Sequence, residues 1–220
     1  MSIKILHIET ATKVCSVAVS INGNLISIKE SFSDNYAHGE SLTLFISKVL
    51  GLAKIEINEL AAISISTGPG SYTGLRIGTS TAKGLCFALQ IPLIGVPTLD
   101  SLMQLGKETS ISINSLAVID ARRMEVYSLL HDSNGKILKE LSADVLDENS
   151  YRQFEPFICF GDATQKLKDF WSNREIRFKD GVFCSAKGQV VLAYSKFQKK
   201  AFENTANFTP NYLKEFQITL

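Results

Sequence analysis

Two stretches of the chain begin in the same way. Residues 5–9 (ILHIE) and 116–120 (LAVID) are short apolar runs that end on a carboxylate, Glu9 and Asp120. Each is followed by an alternating run, 15–21 and 125–130, and then by another, 25–30 and 136–140. Alternation has a period of two and marks strands with one buried face. Asn22-Gly23 and Asn134-Gly135 separate the second run from the third, and Asn-Gly readily takes the positive φ of a tight hairpin. The same three-stranded opening is therefore expected twice, and a weak internal duplication is the economical reading.

The first opening leads into a helix over 40–53, with apolar residues at Leu42, Phe45, Ile46, Val49 and Leu50. That spacing is one face of a 3.6-residue period. A strand at 60–66, a helix at 71–89 and a strand at 92–96 follow. Three strands, helix, strand, helix, strand is a mixed sheet with helical crossovers. It is also the order of the ribonuclease H-like half of actin-like ATPases. The expected fold is accordingly α/β of the actin-like ATPase (ASKHA) type. It has two ribonuclease H-like subdomains, mixed sheets flanked by helices, with the second reduced. The expected partition is 1–100, joined by the tail 206–220, and 101–205. Beyond residue 150 the elements shorten, and no Pro-, Gly- or Ser-rich linker divides the chain.

With 23 basic against 22 acidic residues, no global positive field points to nucleic acid. Lys196, Lys199 and Lys200 are read as a solvated helix face. No apolar run is long enough for a membrane span, and the N-terminus reads as a strand rather than a leader. Cys15, Cys86, Cys159 and Cys184 lie far apart without a C-x-x-C pair, which suits reduced thiols in a cytoplasmic protein.

Residues 66–78, STGPGSYTGLRIG, have the order strand, glycine turn, helix that often holds phosphate. Five residues after Gly68 stands Thr73, and Gly74 is followed by Leu75 and Arg76, so the P-loop pattern fails. G-x-G-x-x-G fails because Thr73 takes the place of the last glycine. G-x-S-x-G fails on both sides of Ser71, at Pro69 and Thr73. What remains is a row of small residues four apart, Gly70, Gly74, Gly78 and Ala82, on one helix face. Interior helix glycines cost about 1 kcal/mol each relative to alanine, so close approach of another helix is expected. That helix is either 40–53 of this chain or one from another subunit.

Glu9-Thr-Ala-Thr12 stands where an actin-like ATPase carries Asp-x-Gly-Thr, with Ala11 in place of the glycine that admits phosphate; Thr10 and Thr12 also read as turn and capping residues. His7 lies within a strand and reads as structural. His38 opens a helix, and no spacing of His7, His38 and His131 forms a metal cage. Asp120 and Glu125 could form an acid/base pair, but Arg122-Arg123 between them reads as an exposed, ion-paired turn.

Residues 8–12, the block from Leu60 through Pro97, residues 118–127 and Thr209-Pro-Asn-Tyr-Leu213 together resemble the TsaB family. The likeness is strong over 1–130 and weak over about 140–205, and GPGSYTGLR is its most specific part. The family comprises bacterial proteins of tRNA threonylcarbamoyladenosine synthesis related to the catalytic subunit TsaD. Aligning on residues 92–96 puts the metal-binding H-x-x-x-H of the catalytic relatives at Thr98 and Leu102, neither of which replaces imidazole. The resemblance implies a non-catalytic subunit with no cofactor. It would pair with TsaD through helices of the N-terminal half, help recruit the ATPase TsaE, form a homodimer alone, and reach tRNA indirectly through the complex. On helix periodicity the contact is assigned to Leu42, Phe45 and Val49 as apolar anchors. Gly74 and Gly78 are assigned the close approach, and Arg76 and Lys83 the polar rim. An actin-like phosphotransferase or a metallopeptidase-like enzyme is the alternative.

Overall fold

The computed structural model describes residues 2–32, 38–107 and 112–213. Its strands form two five-stranded sheets. The first comprises β1 (Lys4–Glu9), β2 (Val14–Ile21), β3 (Asn24–Phe32), β4 (Ala62–Ser66) and β5 (Leu93–Val96), in the order β3-β2-β1-β4-β5. The second comprises β6 (Asn114–Asp120), β7 (Glu125–His131), β8 (Ile137–Val145), β9 (Phe157–Gly161) and β10 (Ile176–Lys179), in the order β10-β9-β6-β7-β8. In each, the first three strands are antiparallel and the last two run parallel to the first. Strand for strand, the second order repeats the first, as the twin openings predict.

The reduction of the second half lies in its helices. In the first half, α1 (His38–Ala53) links β3 to β4, and α2 (Tyr72–Leu89) links β4 to β5. The corresponding links in the second half are a 3₁₀ turn, Arg152–Phe154, and the seven-residue α4 (Thr164–Phe170). Two further helices lie among the described residues: α3 (Thr98–Gly106), not expected from sequence, and α5 (Val190–Gln198), anticipated only in the lysine cluster read as a helix face.

The pleat sorts the core. On β1, Leu6 and Ile8 face the helix layer with Leu42, Phe45, Val49 and Ala82. Ile5 faces the other way, with Ile94, Val96 and Ala193 of α5. A strand covered on both faces needs a near-continuous apolar run, and β1 has one. In the second sheet, Leu116, Val118 and Phe157 pack with Leu167 and Trp171, while Ala117, Ile119 and Phe160 pack with Leu99, Leu102 and Met103 of α3. Thus α5 lies on the inner face of the first sheet and α3 on that of the second. Between them runs a 3₁₀ turn, Ala186–Gln189, that touches α3, α5 and strands of the first sheet.

The three lysines near the chain's end do not share a solvated face. Lys196 donates to Gly95 O at 2.6 Å and so ties α5 to β5, while Lys199 and Lys200 are exposed.

At Gly188 a Cβ would overlap the backbone oxygen of Ser101, which α3 cannot move without leaving its sheet. Gly188→Ala is expected to destabilise the fold by about 1–3 kcal/mol through overpacking. The check is chemical denaturation; a midpoint within error of wild type would contradict this packing of α3 on the 3₁₀ turn.

Candidate functional site

The glycine turn closes on the chain's own backbone. Ser71 caps α2, its hydroxyl accepting from Gly74 N. Its amide donates to Ala11 O at 2.6 Å. A Cβ at Gly70 would overlap Ala11 O, and one at Gly78 would overlap Thr10 Oγ1. Thr10 Oγ1 itself donates to Gly74 O at 2.8 Å. The glycines of the row on α2 therefore receive the turn after β1, while Ala82 at its far end packs in the apolar core with residues of α1. A strand-end turn presents bare backbone and a short hydroxyl, so it approaches more closely than a helix with side chains could. Ala11 is buried under Gly70, which leaves no bare glycine to meet a phosphate.

Three other segments meet the same turn. Thr67 N donates to Val96 O at 2.9 Å, and Asn211 N donates to Thr67 O at 2.6 Å. Thr98, at the start of α3, donates its amide to Gly68 O and accepts from Gly68 N through its hydroxyl. Leu102 is fully buried in the core of the second sheet. The two positions aligned with the catalytic relatives' histidines are thus a turn clamp and a core residue. Among the described residues, no group of three His, Cys, Asp or Glu side chains is placed to hold a metal.

A polar chain lies beside the turn, on the inner face of β1. Gln189 Nε2 donates to Ile8 O at 2.7 Å, and Gln189 Oε1 accepts from Ser64 Oγ at 2.6 Å. Having donated its one proton, Ser64 accepts from His7 Nδ1 at 2.7 Å, so His7 Nε2 is the acceptor for Ser20 Oγ, also at 2.7 Å. His7 is neutral, and burial lowers its pKa to about 3. Glu9 is fully buried at the strand end, accepting from Ala11 N at 2.8 Å, with Gln189 Nε2 at 3.5 Å. Burial pushes its carboxyl up to about 7, against the smaller opposing effect of these donors. The thiol of Cys184 is buried nearby and is likewise pushed well up by burial, then by the charges of Glu9 and Asp162. All four cysteines are free and buried.

At the matching end of β6 the two acids do not form a working pair. Asp120 Oδ1 takes the ammonium of Lys166 at 2.5 Å and the amide of Arg122 at 3.0 Å. Its own amide donates to Asp162 Oδ1 at 2.8 Å. Asp162 keeps a solvent-facing edge while its carboxyl sits among protein atoms, and burial raises its pKa to about 6. The ion pair of this turn is therefore made by Lys166, with neither Arg122 nor Arg123, contrary to the sequence expectation.

The residues assigned to a partner contact are dispersed. Leu42, Phe45 and Val49 are buried against the chain's own sheet. Amphipathic spacing identified the buried face correctly but not what covers it. Gly74 and Gly78 face Thr10, as described. Arg76 lies over the Tyr72 ring at 4.0 Å and donates to Tyr212 Oη at 3.4 Å. Lys83 donates to Ala206 O and Phe208 O, holding the C-terminal segment on α2. The backbone of His38 and Glu40 belongs to α1; their side chains lie outside the described residues. What sequence reasoning passed over is the apolar part of the outer face of the same two helices. Leu44 is 51% exposed and Leu52 70% on α1, and Phe87 is 85% exposed on α2. Leu44, Lys48, Gly51 and Leu52 form one outward stripe, and Ser80, Gly84, Phe87 and Ala88 the other. A Cβ at Gly51 or Gly84 would meet nothing within 4 Å.

The Glu9 carboxyl gives a pH dependence with a definite sign. Its folded pKa is raised, so its contribution is present below about pH 4.5 and lost as pH rises through about 7. His7 acts oppositely, costing stability as pH falls below 6.5. Glu9→Gln keeps the acceptor for Ala11 and removes only the ionisation. It is expected to stabilise the fold at pH 8 by at most about 3 kcal/mol, since a tenfold change in acidity is worth ~1.4 kcal/mol. At pH 5 it is expected to change little. Thermal melts at both values check this; equal gains at both, or a loss at pH 8, would refute it.

Residues 34–219 match the family model described as TsaD: tRNA N6-adenosine threonylcarbamoyltransferase. The tRNA threonylcarbamoyladenosine biosynthesis protein TsaB of Escherichia coli K12 is 27% identical, covering 96% of this chain and 94% of that protein. The protein of the same name from Buchnera aphidicola subsp. Schizaphis graminum is 29% identical over 90% and 97%. Among solved structures, YeaZ from Pseudomonas aeruginosa superposes with a TM-score of 0.80 at 23% identity, covering 96% of this chain and all of that one. The fold is the actin-like ATPase fold. With its turn closed on its own backbone, this chain belongs to the TsaD family, where the relatives it is similar to are named TsaB.

Proposed function

We propose that this protein is a non-catalytic scaffold subunit of the complex that forms threonylcarbamoyladenosine on tRNA. It pairs with a TsaD-like catalytic subunit, helps recruit a TsaE-like ATPase, and reaches tRNA through that cytoplasmic complex. The names of its relatives support the pathway. Thr98 and Leu102, both engaged in the fold, support the lack of a metal centre, and buried Ala11 supports the lack of a phosphate grip.

The observation that carries the pairing is the outward face of α1 and α2. Leu44, Leu52 and Phe87 stand in solvent beside two glycines whose Cβ positions are open. Large exposed apolar side chains grouped on neighbouring helices mark an interaction surface. Gly51 and Gly84 let an opposing helix come near, as small residues do where helices pack tightly. The contact is thus proposed on the same two helices as expected from sequence, with Arg76 and Lys83 along the outward stripe of α2. The apolar anchors and glycines lie on the faces opposite those assigned from periodicity. Alone, the chain uses this surface for a homodimer, which the TsaD-like subunit displaces. We also propose that 1–100 with the tail 206–220 forms one subdomain and 101–205 the other. Lys83 and Asn211 support the tail's place, while α5 crosses that partition to lie on the first sheet.

The double variant Leu52→Ser/Phe87→Ser removes two exposed side chains and is expected to leave monomer stability within about 0.5 kcal/mol of wild type. Affinity for a purified TsaD-like subunit is expected to fall at least tenfold, about 1.4 kcal/mol. Size-exclusion chromatography with calorimetry measures both proteins. An undiminished 1:1 complex would remove this face from the interface, and no complex with wild type would sink the scaffold reading.

A further inference from the structure

The β6–β7 turn breaks a local rule that the chain's other hairpins keep. Arg122 and Arg123 are consecutive, and both have positive φ, +68° and +47°. Only glycine takes such values freely, and asparagine less so. At the β2–β3 turn the positive-φ residues are Asn22 and Gly23, and at the β7–β8 turn Gly135. The fold itself thus has no need for arginine in such a turn.

The strained turn is held rigidly. Lys166 Nζ donates to Arg123 O at 2.9 Å, to Glu125 O at 2.7 Å and to the Asp120 carboxylate, using all three ammonium protons. Arg122 N is held by Asp120 and Arg122 O by Glu125 N. Asp120 and Asp162 are thereby engaged with the turn's own backbone. Both arginines are exposed, and neither guanidinium has a hydrogen bond or ion pair among the described residues. The turn joins β6 to β7 in the second sheet, whereas α1 and α2 pack on strands of the first.

We propose that Arg122 and Arg123 are a direct contact to the phosphodiester backbone of tRNA within the complex. This rests on the tRNA reading above. Guanidinium groups match phosphate oxygens in two-pronged hydrogen bonds, and local strain that the fold does not require is a signature of a working surface. Asp120, Glu125 and Asp162 balance Arg122, Arg123 and Lys166 in charge, so the turn supplies a placed contact, not a long-range field.

The test is Arg122→Asn with Arg123→Gly, the residues that hold the left-handed turn at 22–23. The variant is expected to melt at or above the wild-type temperature and to assemble normally with the TsaD-like subunit. The complex is expected to bind an unmodified tRNA transcript at least fivefold more weakly. The slope of log affinity against log salt should fall by about one to two, as expected for two lost phosphate contacts. Unchanged affinity and slope overturn the inference. Lost assembly with tRNA binding retained would make the pair a protein contact and overturn it too, while the pairing reading stands. If wild type fails to assemble, that reading falls. The two isolated proteins are then compared on tRNA at low salt: weaker binding by the variant upholds the contact, and equal binding overturns it.

Discussion

The first half of the molecule depends on backbone meeting backbone at the glycine turn. Side chains normally keep main chains several ångströms further apart; here Gly70 and Gly78 let Ala11 and Thr10 come into direct contact with the start of α2. Because the turn also binds Val96, Thr98 and Asn211, it fixes the end of β1, the entry to α2, the start of α3 and the C-terminal segment relative to one another. A loop that imitates a phosphate grip in sequence thus holds peptide groups in structure. The chemistry is shared: an amide such as Ser71 N serves a carbonyl oxygen as readily as a phosphate oxygen. Which acceptor it meets is decided by what occupies the space, and Ala11 occupies it.

The joining of the halves has a different physical basis. Gln189 reaches back 181 residues to Ile8 O, and through Ser64 it orders His7 and Ser20. Every proton in this chain has one acceptor, so a buried polar row is tolerated without charge. Apolar packing between sheet and helix would permit sliding by a turn; a directed amide does not. Glu9, one residue beyond, is the ionisable member at the strand end, and burial raises its pKa although donors such as Ala11 N oppose the shift.

How legible this was depended on the kind of signal. The strands up to residue 131 were readable because alternation and Asn-Gly turns report the pleat directly. Helix α3 was not expected, although Leu99, Leu102 and Met103 have helical spacing; nine residues give too short a window for the period to stand out. Strand β9 is buried on both faces, so FICFG carries no alternation, and β10 has only four residues. Gln189 could not have been found from sequence, since a lone glutamine has no pattern. At the candidate site, periodicity separated the two faces of α1 and α2 but did not say which would be covered by the chain itself. The stronger apolar face is the one a monomer buries first, so Leu42, Phe45 and Val49 went inward.

The residues left over from folding are therefore the informative ones. Leu44, Leu52 and Phe87 add nothing to the chain's own core, and Arg122 and Arg123 sit where asparagine and glycine would fit with less strain. The two groups differ in chemistry: one is apolar and lies on rigid helices, the other is cationic and lies on a turn pinned by Lys166. Apolar groups gain by excluding water over a broad area, which suits a protein surface. Guanidinium groups gain by oriented hydrogen bonds to single anionic oxygens, which suits a phosphate backbone. On the proposed reading, a scaffold with two such surfaces holds its partner through the apolar one and leaves the cationic one for the substrate that partner modifies.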